Sequence, residues 1–540
     1  MRSREFEKGH KVMNITIAIA VLMVMAMAVA IVDTEETEGS SNLLPIQSGV
    51  YSSSETTWLL TEDGRLYGCG HNQYGQQGSG GTSDVNVFTQ RMPELTIASV
   101  ACSENTTWFI TTDGKLYGCG YAKDGQQGSG DTSDVNVFTQ RMPELTVESV
   151  YCSNKTTWFI TTDGYLYGCG SDDAGQQGNG KNDVKESTFT QKFYDPDAKN
   201  NPISGIVSFS CSSDTTWFVT KDGYLYGCGS NGFGQQGDDD NLGRWVETFT
   251  KKSYNPYSGV FNPIENAKSV VCSSYTTWCV TTDGVLYGCG ENANYHQGTG
   301  TSSSKDRFAQ RYYDSEGNNP IKNVESVYCS MSTTWIITTD GKLYGCGDGT
   351  YGQQGSGNTG PVKRFTPCMP DLTVKNVYCS NRATWFVTTD GKLYGCGYGI
   401  CGQQGSGGTS DVNVFTQRMP ELTIASVASS NFTTWFVTSD GELYGCGSEY
   451  YGQQGNGGTG NVNVFTSKEL VSPTPSNSTP EPIPGPTPEP NLVENGDTTI
   501  SDDGSEVSGS DIDSMIPIAA GSAIAVIIII GAAAVYLRRH

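Results

Sequence analysis

Between Thr106 and Gly120 the chain reads TTWFITTDGKLYGCG. Apolar and β-branched residues run up to Asp113-Gly114 and a second short run leaves it, a pattern that predicts a β-hairpin. Variants recur eight times, marked by Trp58, Trp108, Trp158, Trp217, Trp278, Trp335, Trp385 and Trp435. The spacings are 50, 50, 59, 61, 57, 50 and 50 residues. Each unit divides into four strand-like pieces. In the second unit these are SVACS from Ser99 (A), TTWFITT from Thr106 (B), KLYGCG from Lys115 (C) and VNVFTQ from Val135 (D). Asp-Gly stands between B and C in every unit, from Asp63-Gly64 to Asp440-Gly441. It predicts a two-residue type I′ turn with positive φ at both positions.

Alternation within a strand sends successive side chains to opposite faces. In piece B, Trp108 and Ile110 take one face and Phe109 the other, so both faces are apolar. A small sheet of that kind needs a copy of itself on each side, which a radial arrangement of 40- to 50-residue units supplies. The expected fold is therefore all-β: a single β-propeller of four-stranded blades with eight repeat units, seven blades being the alternative. A solenoid would call for polar caps, whereas the first unit (Gly49 to Thr96) and the last (Ser426 to Leu470) look like the rest. Glycine in a strand marks close approach, and the Gly-Cys-Gly of piece C is expected to make room for a tryptophan from the neighbouring blade.

The ends differ in kind. Val12 to Val32 is an apolar run preceded by Arg2, Arg4, Lys8 and Lys11, and Ala28-Val29-Ala30 fits a signal-peptidase site. Residues 1–32 thus read as a signal peptide or an N-terminal anchor, followed by a linker, 33–45, and the propeller, 46–470. Residues 471–514 are Pro-rich, then acidic, with nine Asp or Glu and no Lys or Arg, an extended stalk. Residues 515–537 are apolar without a charge and long enough to cross about 30 Å of hydrocarbon. Residues 538–540, Arg-Arg-His, mark the cytoplasmic side. The expectation is a single-pass protein of the cell membrane, held by a C-terminal transmembrane helix, with the propeller extracellular.

A formal charge of −24 argues against nucleic acid as a partner, since phosphate backbones reward a basic face; no nucleotide partner is expected either. Of seventeen cysteines, eight fall at one repeat position (Cys69, Cys119 and equivalents) and six at another (Cys102, Cys152 and equivalents). Both buried free thiols and disulfides suit such regularity. Four histidines, two of them outside the repeats, make a nucleophile–base arrangement a coincidence at best. No catalytic residue, cofactor or metal ligand set is nominated. Asp172-Asp173 and Asp238-Asp239-Asp240 lack the spacing of a calcium loop.

SVxCS, a hairpin closing on Thr-Asp-Gly, then Leu-Tyr-Gly-Cys-Gly and Gly125-Gln126-Gln127-Gly128: this order resembles the repeats of the regulator of chromosome condensation family. The likeness covers roughly 46 to 470. The family often has His where this chain has Thr106, and Trp where it has Cys119; its propellers usually have seven blades. Some members exchange guanine nucleotide on a small nuclear GTPase, others adjoin ubiquitin-ligase domains, and secreted relatives include a protein inhibitor of β-lactamase. What the resemblance implies in common is a scaffold that binds other proteins with its loops.

Strand connectivity places A–B turns and C–D loops on one rim, with Asp-Gly turns and D–A connections on the other. The C–D tips diversify, and aromatics recur among them: Tyr74, Tyr121, Phe233, Tyr295, Tyr351, Tyr398, Tyr450 and Tyr451. Rigid aromatics amid small polar residues suit an adaptable binding surface. These eight are the candidate partner-binding residues, for an extracellular protein or glycan, without catalysis. The alternatives are a polysaccharide-acting hydrolase or lyase, and a structural coat component. The paired glutamines are expected to carry inter-blade hydrogen bonds instead. Insertions in the third to fifth units form a one-sided platform on the opposite rim.

Overall fold

The computed structural model describes residues 49–182, 185–237, 244–257, 260–468 and 470. The expected leader or anchor, linker, stalk, transmembrane helix and tail lie outside them, as do Asp238-Asp239-Asp240. Among the described residues no helix is long and apolar enough to cross a membrane.

Each Trp-marked unit forms its own antiparallel sheet in the chain order A-B-C-D. In blade 2 the strands are Ile97–Cys102, Thr106–Thr111, Leu116–Gly120 and Val135–Arg141. The insertion after strand D of blade 4 adds two strands, Ser253–Tyr257 and Val260–Pro263, to the sheet of blade 5. Every strand A meets strand A of both neighbouring blades, all the way round the ring. Closure joins blade 8 to blade 1: Phe88 packs edge-on against Trp435 at 5.7 Å, and Thr57 Oγ1 donates to Gln453 O at 2.9 Å. The ring has eight blades, not seven.

The core lies between blades, as two apolar faces demand. Trp58 and Leu60 of blade 1 pack with Val100, Phe109 and Phe138 of blade 2. Trp108 and Ile110 face the other way, onto Val147, Val150 and Phe159 of blade 3. All eight repeat tryptophans are fully buried.

Two local expectations are corrected. The gap left by glycine is filled by the blade's own tryptophan, not a neighbour's. Register pairs Trp108 with Gly118, and a Cβ on Gly118 would stand 2.4 Å from Trp108 Cζ3. The Asp-Gly turn is not type I′ either. Gly114 has φ +80° while Asp113 is not in the left-handed region, and Thr111 pairs with Lys115 across a three-residue loop. Thr111 selects this form: Lys115 N donates to its Oγ1, which in turn donates to the Asp113 carboxylate. The result is a tight turn ending in one left-handed glycine.

Candidate functional site

The Gly-Gln-Gln-Gly segments build the rim. The second glutamine braces its own blade, Gln127 Nε2 donating to Cys119 O at 2.7 Å. The first reaches across, Gln126 Nε2 donating to Asn154 O of blade 3 at 2.9 Å. Its backbone carbonyl also serves the next blade: Gln76 O accepts Thr107 Oγ1 at 2.9 Å and Cys119 Sγ at 3.3 Å. Such a thiol–carbonyl bond closes every border, ending with Cys69 Sγ to Gln453 O at 3.4 Å. None of the seventeen cysteines forms a disulfide. Burial pushes the Cys119 thiol well above its ordinary range, so these are packing and bonding groups rather than nucleophiles.

On this frame three side chains converge where two blades meet: the last residue of one C–D tip, the first of the next, and the third residue of the next A–B turn. At the 8/1 border they are Tyr451, His71 and Glu55, with the two rings 4.4 Å apart and His71 Nδ1 2.9 Å from Glu55. Burial opposes charging of His71, but Glu55 and Asp84 outweigh it and raise its pKa above the ordinary value. At the 1/2 border Tyr74 meets Tyr121 edge-on at 5.0 Å. With Tyr450 standing 4.7 Å from Tyr451 and His71 6.2 Å from Tyr74, an aromatic arc spans three blades. At the 4/5 border Phe233 packs on Tyr275 at 4.9 Å. At the 6/7 border Tyr351 and Tyr398 stand 4.9 Å apart, and the Arg382 guanidinium lies 5.0 and 5.1 Å from their rings. Tyr295 sits apart from these pairs, under Lys363 Nζ at 5.1 Å.

The eight nominated residues thus fall into separate corners rather than one site. Missing from the sequence-based set are their partners from the A–B turns, Glu55, Tyr275 and Arg382. The available signal was variation at the third position after strand A, in SSE, SSY and SNR against the constant Thr-Trp that follows. Nothing in one sequence says that this position and a tip residue 16 places later share a corner.

One tip position is fully buried, occupied by Asn72, Asn231 and Asn292. Asn72 Oδ1 accepts Gln77 N at 2.8 Å and locks the loop. Asp172 takes this place in blade 3 and Glu449 in blade 8, and burial pushes each up to about 7. A carboxyl whose folded pKa exceeds its unfolded value of about 4 binds a proton on folding. Its stabilisation is therefore complete below pH about 4 and lost as pH rises through 7. Asp172→Asn is expected to raise stability at pH 8 by about 1–3 kcal/mol and to leave it nearly unchanged at pH 4, as read by denaturant unfolding at both values. Equal effects at the two pH values would contradict this assignment.

Three stretches, 49–76, 206–235 and 424–453, match the family model described as the regulator of chromosome condensation (RCC1) repeat. The chain carries RCC1 repeats on an RCC1-like propeller. Among curated proteins it is similar to the X-linked retinitis pigmentosa GTPase regulator of Mus musculus, 28% identical over 28% of this chain. It is also similar to the regulator of chromosome condensation of Xenopus laevis, 28% identical over 32% of this chain. These matches span only 14% and 41% of those relatives' own lengths. Among solved structures, yeast RCC1 (Prp20) bound to Kap60 shares the fold, with TM-score 0.50 and 15% identity, covering 74% of this chain and 94% of that one. Prp20p from Saccharomyces cerevisiae, described with its binding to Gsp1p and histones, is 14% identical with TM-score 0.48, over 70% and 90% of the two chains.

These relatives correct the expectation of no nucleic acid and no nucleotide among the partners. The repeat occurs in a GTPase regulator and in a regulator of chromosome condensation. The charge argument fails for a physical reason. A sum of −24 averages over the whole chain, the acidic sequence 471–514 included, while a partner meets one local surface within a Debye length of about 8–10 Å. Arg382 and Lys155 stand on this rim.

Proposed function

We propose that the protein is a non-catalytic scaffold that binds a protein partner through the rim of A–B turns and C–D tips. The observation that carries this reading is the set of geometrically equivalent corners holding different chemistry: an imidazole–carboxylate pair, tyrosine pairs, and an arginine between two tyrosines. Packing that merely closed the ring would have no use for such variety, since the constant glutamine, threonine and cysteine bonds already do so. Aromatic and arginine side chains at corners are also the types that dominate binding energy at protein interfaces. A yeast propeller of this kind has been caught with a protein bound.

The cell-surface placement is part of the proposal and rests on segments 1–32 and 515–537 of the sequence. External protease on intact cells should remove the propeller from a full-length chain tagged at its C-terminus. Protection would overturn that placement without touching the binding reading. The binding reading is tested by capture on immobilised 46–470, with mass spectrometry of what is retained, against variants in the 6/7 and 8/1 corners. Partners retained equally by wild type and both corner variants would refute it.

A further inference from the structure

The opposite rim holds a groove of about 400 Å³ at the border of blades 3 and 4. Small-ligand sites begin at about this size. It is lined by three tyrosines, Tyr194, Tyr224 and Tyr226, and by the polar side chains of Asn201, Ser204 and Asp222. The insertion of blade 3 builds one wall. Ile203 is fully buried and its N–H bonds Lys192 O at 2.9 Å, while Tyr194 N bonds Asn201 O at 3.1 Å. The segment is thereby a pinned hairpin that lays Tyr194 against Tyr226, ring centroids 4.9 Å apart. Tyr226 is itself backed by Phe218 at 5.2 Å in a stacked arrangement.

Two features shape this border. In blades 2, 6 and 7 the residue after the Asp-Gly turn is a lysine, and Lys115, Lys342 and Lys392 lie across the rim onto the carbonyls of Pro143, Pro370 and Pro420. In blade 4 that residue is Tyr224, and the D–A connections on both sides of the blade are insertions. The turn aspartate also changes role. Asp63, Asp113, Asp163, Asp283, Asp340 and Asp390 each accept a bond from the threonine two residues before. Asp222 is not given this bond, nor is Asp440: Thr220 Oγ1 donates to Tyr224 O at 3.5 Å and Thr438 Oγ1 to Glu442 O at 3.3 Å. The exposed carboxylate of Asp222 stays available to the groove, with Lys221 beside it.

We infer that this groove is a binding site for a neutral saccharide. Apolar C–H faces of a pyranose ring suit flat aromatic walls, and a ring of hydroxyls that both donate and accept suits an amide, a hydroxyl and a carboxylate placed around them. Lys221 in the lining offsets Asp222, and the Lys251 ammonium already lies over one face of Tyr224, 3.0 Å from the ring centre, so neither sign of charge dominates the groove; a purely apolar ligand would strip water from its polar groups without replacing it. The site is independent of the protein-binding rim on the other side.

The test presents the full chain in detergent to an array of neutral and acidic oligosaccharides, followed by titration of the best neutral binder. Retention of a neutral glycan is expected, weakened at least about tenfold by Asp222→Asn and by Tyr224→Ala. Both residues are surface groups outside the inter-blade core, so unfolding would not account for the loss. Tyr351→Ala on the far rim should leave the affinity unchanged. Failure to retain any neutral glycan would overturn the inference, as would affinity indifferent to both groove variants, or preferential capture of a protein or acidic glycan there. None of these outcomes bears on whether the far rim binds its own partner.

Discussion

Trp108→Ala is expected to destabilise the propeller by about 3–5 kcal/mol, the range for emptying a fully buried aromatic site. Trp108 is unexposed and belongs to the cluster shared with blade 3, so the void would open between two blades and loosen both. The companion change sharpens the test. Gly118→Ala should itself cost about 1–3 kcal/mol, because its methyl would stand 2.4 Å from Trp108 Cζ3 and overpack the site. Once Trp108 is alanine that clash is gone, so the two costs should fail to add by at least about 1 kcal/mol. Simple additivity in a denaturant-unfolding cycle would mean that the glycine is not there for the tryptophan.

The second large effect concerns binding. Arg382→Ala in the 6/7 corner is expected to weaken the rim's protein partner by at least about 2 kcal/mol, roughly thirtyfold, the scale of an interface hot spot. The guanidinium is pre-positioned by two rings, and such cation–π support contributes about 0.5–2 kcal/mol. Arg382→Lys should recover little, because an ammonium neither stacks flat nor presents a fork of donors. Stability should change by under about 1 kcal/mol, since the side chain is half-buried and outside the inter-blade clusters. The captured partner's affinity for the three proteins, by titration, reads the outcome; equal affinities would remove this corner from the interface.

How far the sequence carried this account follows from which facts are local. Alternation in Thr106–Thr111 announces two apolar faces, and from them the inter-blade core and the ring follow. Turn form was not legible from Asp-Gly alone, because the threonine two residues before Asp113 captures the turn with its own side chain. The tryptophan's resting place depended on register: only the ladder pairing Trp108 with Gly118 tells own-blade filling from neighbour filling. Rim assignment followed from connectivity, yet the corners did not. Tyr351 and Arg382 meet across a blade border from 31 positions apart, and no period within a unit links them. The tyrosines were visible; what they lean on was not.

Ring closure underlies every one of these sites, since an open array would leave the blade 8 face of Trp435 and the blade 1 face of Phe88 without partners. The direct measurement is a double-mutant cycle on Phe88 and Trp435, residues at opposite ends of the propeller sequence that stand 5.7 Å apart edge-on. With Phe88→Leu and Trp435→Leu, the account predicts a favourable coupling of about 0.5–1.5 kcal/mol in the unfolding of 46–470. A coupling of zero, with each single change costing the same alone or together, would contradict a closed ring of eight blades.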